Sequence, residues 1–315
     1  MNAEPWLLGA AQLFFVLAAA PLLQGLIRRL KARLQSRSGP PLLQSYYDLA
    51  KLFARSETVA ESASVVQFVA PWVVLGAMLS AATFIPMFGA ATPLTTAGDL
   101  LVVIGLFALA RAALTLGGMD SGSAFGQMGS SRELALGALV EPALLLSLVA
   151  LAVGTGTTRL GEIVAIGASD GSGFFDLQWA LALLALTTVM LAETGRIPVD
   201  NPDTHLELTM IHEAMLLEYS GRSLGVLHLA SMVKQLLLAC LLANLFFPLG
   251  LRANPDLALY LKGGALLAGK LALVGVGLAL TESTFAKMRF YELPDLLGSA
   301  SLAGFVAVAI AVWQS

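Results

Sequence analysis

Charge is scarce in this sequence. Asp, Glu, Lys and Arg make up 12% of its 315 residues, about half the share usual in a soluble domain, which excludes water as the main solvent of the chain. A single cysteine, Cys240, excludes a disulfide framework and a cysteine-rich metal or iron–sulfur site on this chain. Of the three histidines, His205 and His212 stand seven residues apart. Helical zinc ligands sit three or four apart, so no metal is expected there. Nucleophile–base pairs and phosphate-binding glycine loops are also missing, and catalysis by this chain alone is not expected. No basic residue precedes the first apolar run. A cleavable signal is therefore not expected, and the first helix is read as retained, its amino end outside.

What remains is apolar. Hydrophobic residues make up 57% of the chain and the mean hydropathy is +0.80. Runs long enough to cross about 30 Å of hydrocarbon at about 1.5 Å per residue occur near 5–30, 68–88, 96–117, 132–154, 177–195, 224–247, 258–281 and 294–313. This predicts an all-α membrane protein, residues 1–315 forming one integral domain of about eight transmembrane helices. A Gly/Ser turn, Gly117 to Ser131, is expected between the third and fourth. With the amino terminus outside, twelve Lys and Arg fall in inner loops, while the outer loops keep Arg159 and Arg252, with Lys262 just inside the seventh helix. By the positive-inside rule both termini face outward.

Two inner loops, 31–66 and 196–222, carry amphipathic patterns. After Pro40-Pro41, Leu42, Leu43, Tyr46, Leu49, Ala50 and Phe53 follow one helical stripe, and Gln44, Asp48, Lys51 and Arg55 another. That is a helix lying at the interface or a ledge for a soluble partner. From Asn201 to Gly221 a second helix is expected, Asn201 capping it and Gly221 ending it. Glu207 and Glu218 would share one face.

The most informative residues are the ionisable ones inside apolar runs. Glu141 lies about 12 Å into the fourth helix counted from Arg132. Lys234 and Lys270 lie near the middles of the sixth and seventh, and Arg111 in the inner half of the third. Each costs about 2.5–3.5 kcal/mol at a helix centre unless it faces protein, water or an opposite charge. Glu133, Gly137 and Glu141 repeat every four residues on one side of a helix, and Pro142 frees a carbonyl nearby. Glu193, at the inner end of the fifth helix, extends the series toward the loops. Opposite charges at similar depth read either as ion pairs holding helices in register or as a proton path. Lys262 and Glu282 are expected to snorkel, and Asp99 to cap a helix.

The stretch Glu193-Thr194-Gly195-Arg196-Ile197-Pro198-Val199-Asp200-Asn201-Pro202, followed by Glu207-Leu208 and Glu218-Tyr219-Ser220-Gly221, resembles the signature of the complex I subunit 1 family. Gly39-Pro40, Gln44, Asp48, Lys51-Leu52 and Glu57 resemble its first-loop signature. The respiratory form carries a longer Gly-Pro-rich first-loop run than Gly39-Pro40. The Thr204–Glu213 segment also puts three extra residues between Glu207 and Glu218. Both departures resemble the hydrogenase-4 and formate hydrogenlyase branch of the membrane-bound [NiFe] hydrogenases.

The resemblance implies an anchor subunit in a bacterial or archaeal cytoplasmic membrane. It implies no cofactor on this chain, with Fe–S clusters and a Ni–Fe site in partner subunits and no required role for quinone. The implied partners are peripheral hydrogenase-like large and small subunits on the cytoplasmic face, antiporter-like membrane subunits and lipid, and not nucleic acid. Glu193, Arg196, Asp200, Glu207, Glu213 and Glu218, with Asp48, Lys51 and Glu57, are expected to form the inner docking and coupling surface, acidic in character. Glu133, Glu141, Glu193, Arg111, Lys234 and Lys270 are expected to lead protons into the membrane. The rival readings are the quinone-chamber subunit of an NADH:quinone oxidoreductase and a secondary transporter acting alone.

Overall fold

The computed structural model describes residues 5–60, 62–90, 92, 99–170, 176–200, 210–251 and 257–314. Within them lie eleven α-helices: α1 (Pro5–Leu34), α2 (Gln44–Phe53), α3 (Val65–Phe84), α4 (Leu100–Asp120), α5 (Ala124–Thr155), α6 (Leu160–Asp170), α7 (Leu177–Glu193), α8 (His212–Leu216), α9 (Gly221–Phe246), α10 (Leu257–Thr284) and α11 (Leu293–Gln314). Seven are long and apolar enough to cross a membrane: α1, α3, α4, α5, α9, α10 and α11. The eighth expected span, α7, has 17 residues, about 26 Å at helical rise. The chain is a multi-pass, all-α membrane protein.

α9 is the axis of the bundle. It packs against α1, α2, α3, α6, α7 and α10 and is buried along most of its length, as a helix apolar all round must be. α3, α4 and α5 continue the bundle on one side, and α11 lies along α5 and α7. The helix ends that follow or precede basic loops meet at one face, tied by Thr58 to Ser220, Ser62 to the Ser121 carbonyl and Gln67 to the Glu218 carbonyl. At the opposite face, Leu100 N–H donates to the Thr158 carbonyl at 3.1 Å, and Asp99 caps α4 as expected.

Three expectations change. The Gly117–Ser131 turn shrinks to Ser121–Ser123, because α5 already begins at Ala124. The glycines there serve a helix crossing: a Cβ at Gly118 would strike Ser130 and one at Gly129 would strike Ala214. Small residues let backbones approach this closely in membranes. Gly221 ends no helix but opens α9, at φ +50°. Of the helix expected over Asn201–Gly221, the described part is the short α8. Residues 201–209, Glu207 and His205 among them, lie outside the described residues.

α2 takes the expected helical form and packs on α1 and α9. Leu49 and Ser45 face inward, while Leu43, Tyr47 and Phe53 stay exposed.

Candidate functional site

Arg111, on α4, is the centre of the buried charge. Its guanidinium reaches three carboxylates: Glu133 at 3.5 Å and Glu141 at 2.5 Å, both from α5, and Glu193 from the end of α7. Lys234 of α9 pairs with the other oxygen of Glu193. Four helices thus contribute five charges to one cluster. Space for it comes from Gly137, where a Cβ would lie 2.8 Å from the Arg111 side chain. The four-residue repeat Glu133–Gly137–Glu141 therefore has one function along its whole length. Two carboxylates grip the guanidinium from above and below, and the glycine between them gives it room.

The cluster is not uniformly buried. Arg111 and Glu193 are enclosed, while the Glu141 side chain is 43% exposed on the flank of the bundle. Two cations face three carboxylates, so the cluster holds one excess negative charge when all are ionised.

A second ionic group sits beside it. Arg196, just past α7, donates to Glu282 of α10 at 2.6 Å, to Gln235 of α9 at 2.8 Å and to Gln24 of α1. Lys31 of α1 joins Glu282 at 3.2 Å. Glu282 therefore does not snorkel. It is 4% exposed, because two cations from different elements converge on it. Asp200 pairs with Lys287 at 3.2 Å and accepts from the Ile211 N–H. Neighbours on α9, Lys234 and Gln235, serve the two groups in turn.

Both groups line a cavity of about 440 Å³. The exposed Arg28 and Arg37 mark its rim, and Lys31, His212, Glu213, Glu133 and Lys234 line it together with the buried Arg111 and Glu193. Val74, Met78, Leu114 and Met232 form an apolar wall.

The residues expected to make an acidic inner surface divide. Glu193, Arg196 and Asp200 are buried, so no surface forms from them; they are interior ligands of Arg111, Glu282 and Lys287. Glu213 is half-buried in the cavity lining, and Glu218 is half-buried and accepts from Ser123. Nearby, burial with Asp120 and Glu218 pushes the Tyr219 hydroxyl pKa up, which keeps it neutral. Asp48 pairs with Arg28 at 3.4 Å on the surface, Lys51 is exposed, and Glu57 is exposed and accepts from Ser223. Lys270 is not brought to the cluster. Its ammonium donates to Asn244 at 3.1 Å, about 15 Å along α9 from Lys234.

Sequence reasoning missed Glu282, Lys31, Gln24 and Gln235 as partners. An acidic residue at the end of the seventh apolar run is the signal for the first. The amides carry none.

A bundle that buries cations and carboxylates together under a basic-rimmed cavity defines a polytopic membrane subunit whose interior handles charge. The particular family follows from comparison: the chain belongs to the NADH dehydrogenase family, the complex I subunit 1 type, which it matches over residues 8–313. It is 36% identical over 304 residues to hydrogenase-4 component C of Escherichia coli K12, covering 96% of this chain and 93% of that one. Formate hydrogenlyase subunit 4 of the same organism is 35% identical over 303 residues, covering 93% of each. A chain in the structure of the membrane-bound sulfane sulfur reductase, an archaeal respiratory membrane complex, shares the fold at a TM-score of 0.86. That match has 22% identity and covers 98% of this chain and all of that one.

Proposed function

We propose that this chain is the membrane anchor of a redox-driven, ion-translocating complex of the energy-converting hydrogenase type, and that it carries the first part of a proton path. The observation that carries the reading is the continuity of polar groups. It runs from the cavity rim, through Glu193 and Glu133 to Arg111, and out to the half-exposed Glu141. One excess negative charge gives the cluster room for one proton. Arg111 can shift its grip among three carboxylates, and each shift changes which of them holds that proton.

The lever is the Thr194–Asp200 loop. It joins Glu193 to Arg196 and so couples the two ionic groups. In this reading a charge change in a peripheral redox subunit, docked on the basic face, moves that loop and reorders the cluster. Moving one charge across the membrane costs about 2.3 kcal/mol per 100 mV. That equals a little under two units of pKa at about 1.36 kcal/mol each, within the range that rearranged ion pairs supply.

The partners in this reading are hydrogenase-like large and small Fe–S subunits on the cytoplasmic side and antiporter-like membrane subunits beside Glu141. Both termini face outward across a bacterial or archaeal cytoplasmic membrane. The relatedness to hydrogenase-4 component C and formate hydrogenlyase subunit 4 supports it.

The test is Glu141→Gln in the intact complex. Expected is assembly with electron transfer retained and proton transport into sealed vesicles lost. Unchanged transport removes Glu141 from the path.

The cavity favours a second reading. Its volume and apolar wall suit the quinone chamber of an NADH:quinone oxidoreductase. Inhibition of the purified complex by a quinone-site ligand would select that reading over the first.

A further inference from the structure

Lys270 carries a charge that no carboxylate among the described residues balances. It lies near the midpoint of the 28-residue α10, about 20 Å from either end at helical rise. Among the described residues its ammonium has one hydrogen-bond partner, the neutral Asn244 side-chain carbonyl at 3.1 Å. Asn244 is itself committed, its amide donating to the Pro86 and Met87 carbonyls. The lysine is half-buried, on a helix that packs mainly on α1 and α9 and leaves its other side open.

Leu266, Lys270, Leu273 and Gly277 recur at helical spacing along that open side. Leu273 is 72% exposed, and a Cβ built on Gly269 or Gly277 would meet nothing within 4 Å. The face is therefore apolar and shallow, and it borders one cation at mid-membrane depth. A lipid phosphate lies at the headgroup level, too far for a lysine at this depth to snorkel. Acyl chains offer no counter-charge. What answers an ammonium here is a carboxylate held at the same depth, which requires another protein helix. The absence of side chains at Gly269 and Gly277 lets such a helix approach closely.

We propose that this face of α10 is an interface with a second membrane-embedded chain of a different sequence, one of whose transmembrane helices presents an Asp or Glu to Lys270. Lys270, expected from the sequence on the proton path, lies outside the Glu193–Glu133–Arg111–Glu141 route proposed above, so the interface stands or falls separately from that reading.

The test uses the intact complex in native membranes. Leu273 is replaced by p-benzoylphenylalanine and the membranes are irradiated. The expected product is an adduct with another membrane subunit, at a transmembrane peptide containing Asp or Glu. Adducts with lipid alone, or with a second copy of this chain, overturn the proposal. In parallel, Lys270→Met is expected to reduce recovery of that subunit at least ten-fold on purification in mild detergent, and Lys270→Arg to retain it. Full recovery with Lys270→Met overturns the carboxylate pairing. The adduct experiment keeps the wild-type lysine, so it remains decisive if Lys270→Met fails to accumulate.

Discussion

The middle of α9 and its end near Phe246 handle polarity in opposite ways. Toward the basic face, Lys234 and Gln235 enter groups made of full charges: Arg111 with three carboxylates, and Arg196 with Glu282 and Lys31. Toward the other face, Asn244 accepts from the Lys270 ammonium with no carboxylate beside it among the described residues, and its amide serves backbone carbonyls. It satisfies the carbonyls of Pro86 and Met87, and Gln12 of α1 satisfies those of Ala82 and Ile85. These carbonyls are free because α3 stops at Phe84 and the backbone runs irregularly through the buried Ile85–Ala90 segment. Irregular backbone is stable in a membrane only where protein satisfies it. An amide does this without a charge, and it cannot take up a proton. The carboxylate cluster can. On the proposed function, the difference separates a region that exchanges protons from one that holds helices.

Variants at the two places should therefore fail differently. The largest effect is expected for Arg111→Met, which leaves three carboxylates facing Lys234 alone. A broken buried pair costs about 3–5 kcal/mol, so the subunit should be nearly absent from the membrane fraction by immunoblot. Glu282→Gln, which keeps the shape but strands Arg196 and Lys31, should cost about 2–3 kcal/mol, read as a lower melting temperature of the detergent-solubilised complex. Gly137→Val should cost about 1–3 kcal/mol through overpacking and also abolish proton transport in sealed vesicles, since it displaces Arg111. Asn244→Leu should cost about 1–3 kcal/mol by orphaning two carbonyls and removing the hydrogen-bond partner of the Lys270 ammonium, yet leave transport per assembled complex unchanged. Gln12→Leu should behave alike with a loss of about 1 kcal/mol. If Asn244→Leu instead stopped transport at full stability, the division between the two places would be wrong.

The eight apolar runs and the charges within them are legible because length and insertion cost are one-dimensional properties. Glu141, Glu193, Arg111 and Lys234 stand out as too costly to be idle, although their grouping is a three-dimensional fact. Glu282 escapes for a related reason. Proximity to a helix end suggests water, but Lys31 and Arg196 approach from distant positions and enclose it. The glycines of 117–131 suggest a turn because close helix crossing and chain reversal use the same residue. Gln12, Gln24, Gln235 and Asn244 give no signal at all. An amide has no charge that demands a partner, so nothing in the sequence marks the backbone or guanidinium that it serves.

The brevity of α7 has its own consequence. At about 26 Å the helix is shorter than a bilayer's hydrocarbon thickness of about 30 Å, so it cannot reach both headgroup layers without thinning the bilayer. The Thr194–Asp200 segment that follows it is enclosed by protein, its members Arg196 to Asp200 buried, in a weakly screening environment. There a displacement of an ångström changes Coulomb energies far more than it would in water. On the proposed function, a docked subunit need not drag a whole helix to be felt; a small push on this enclosed strap is enough.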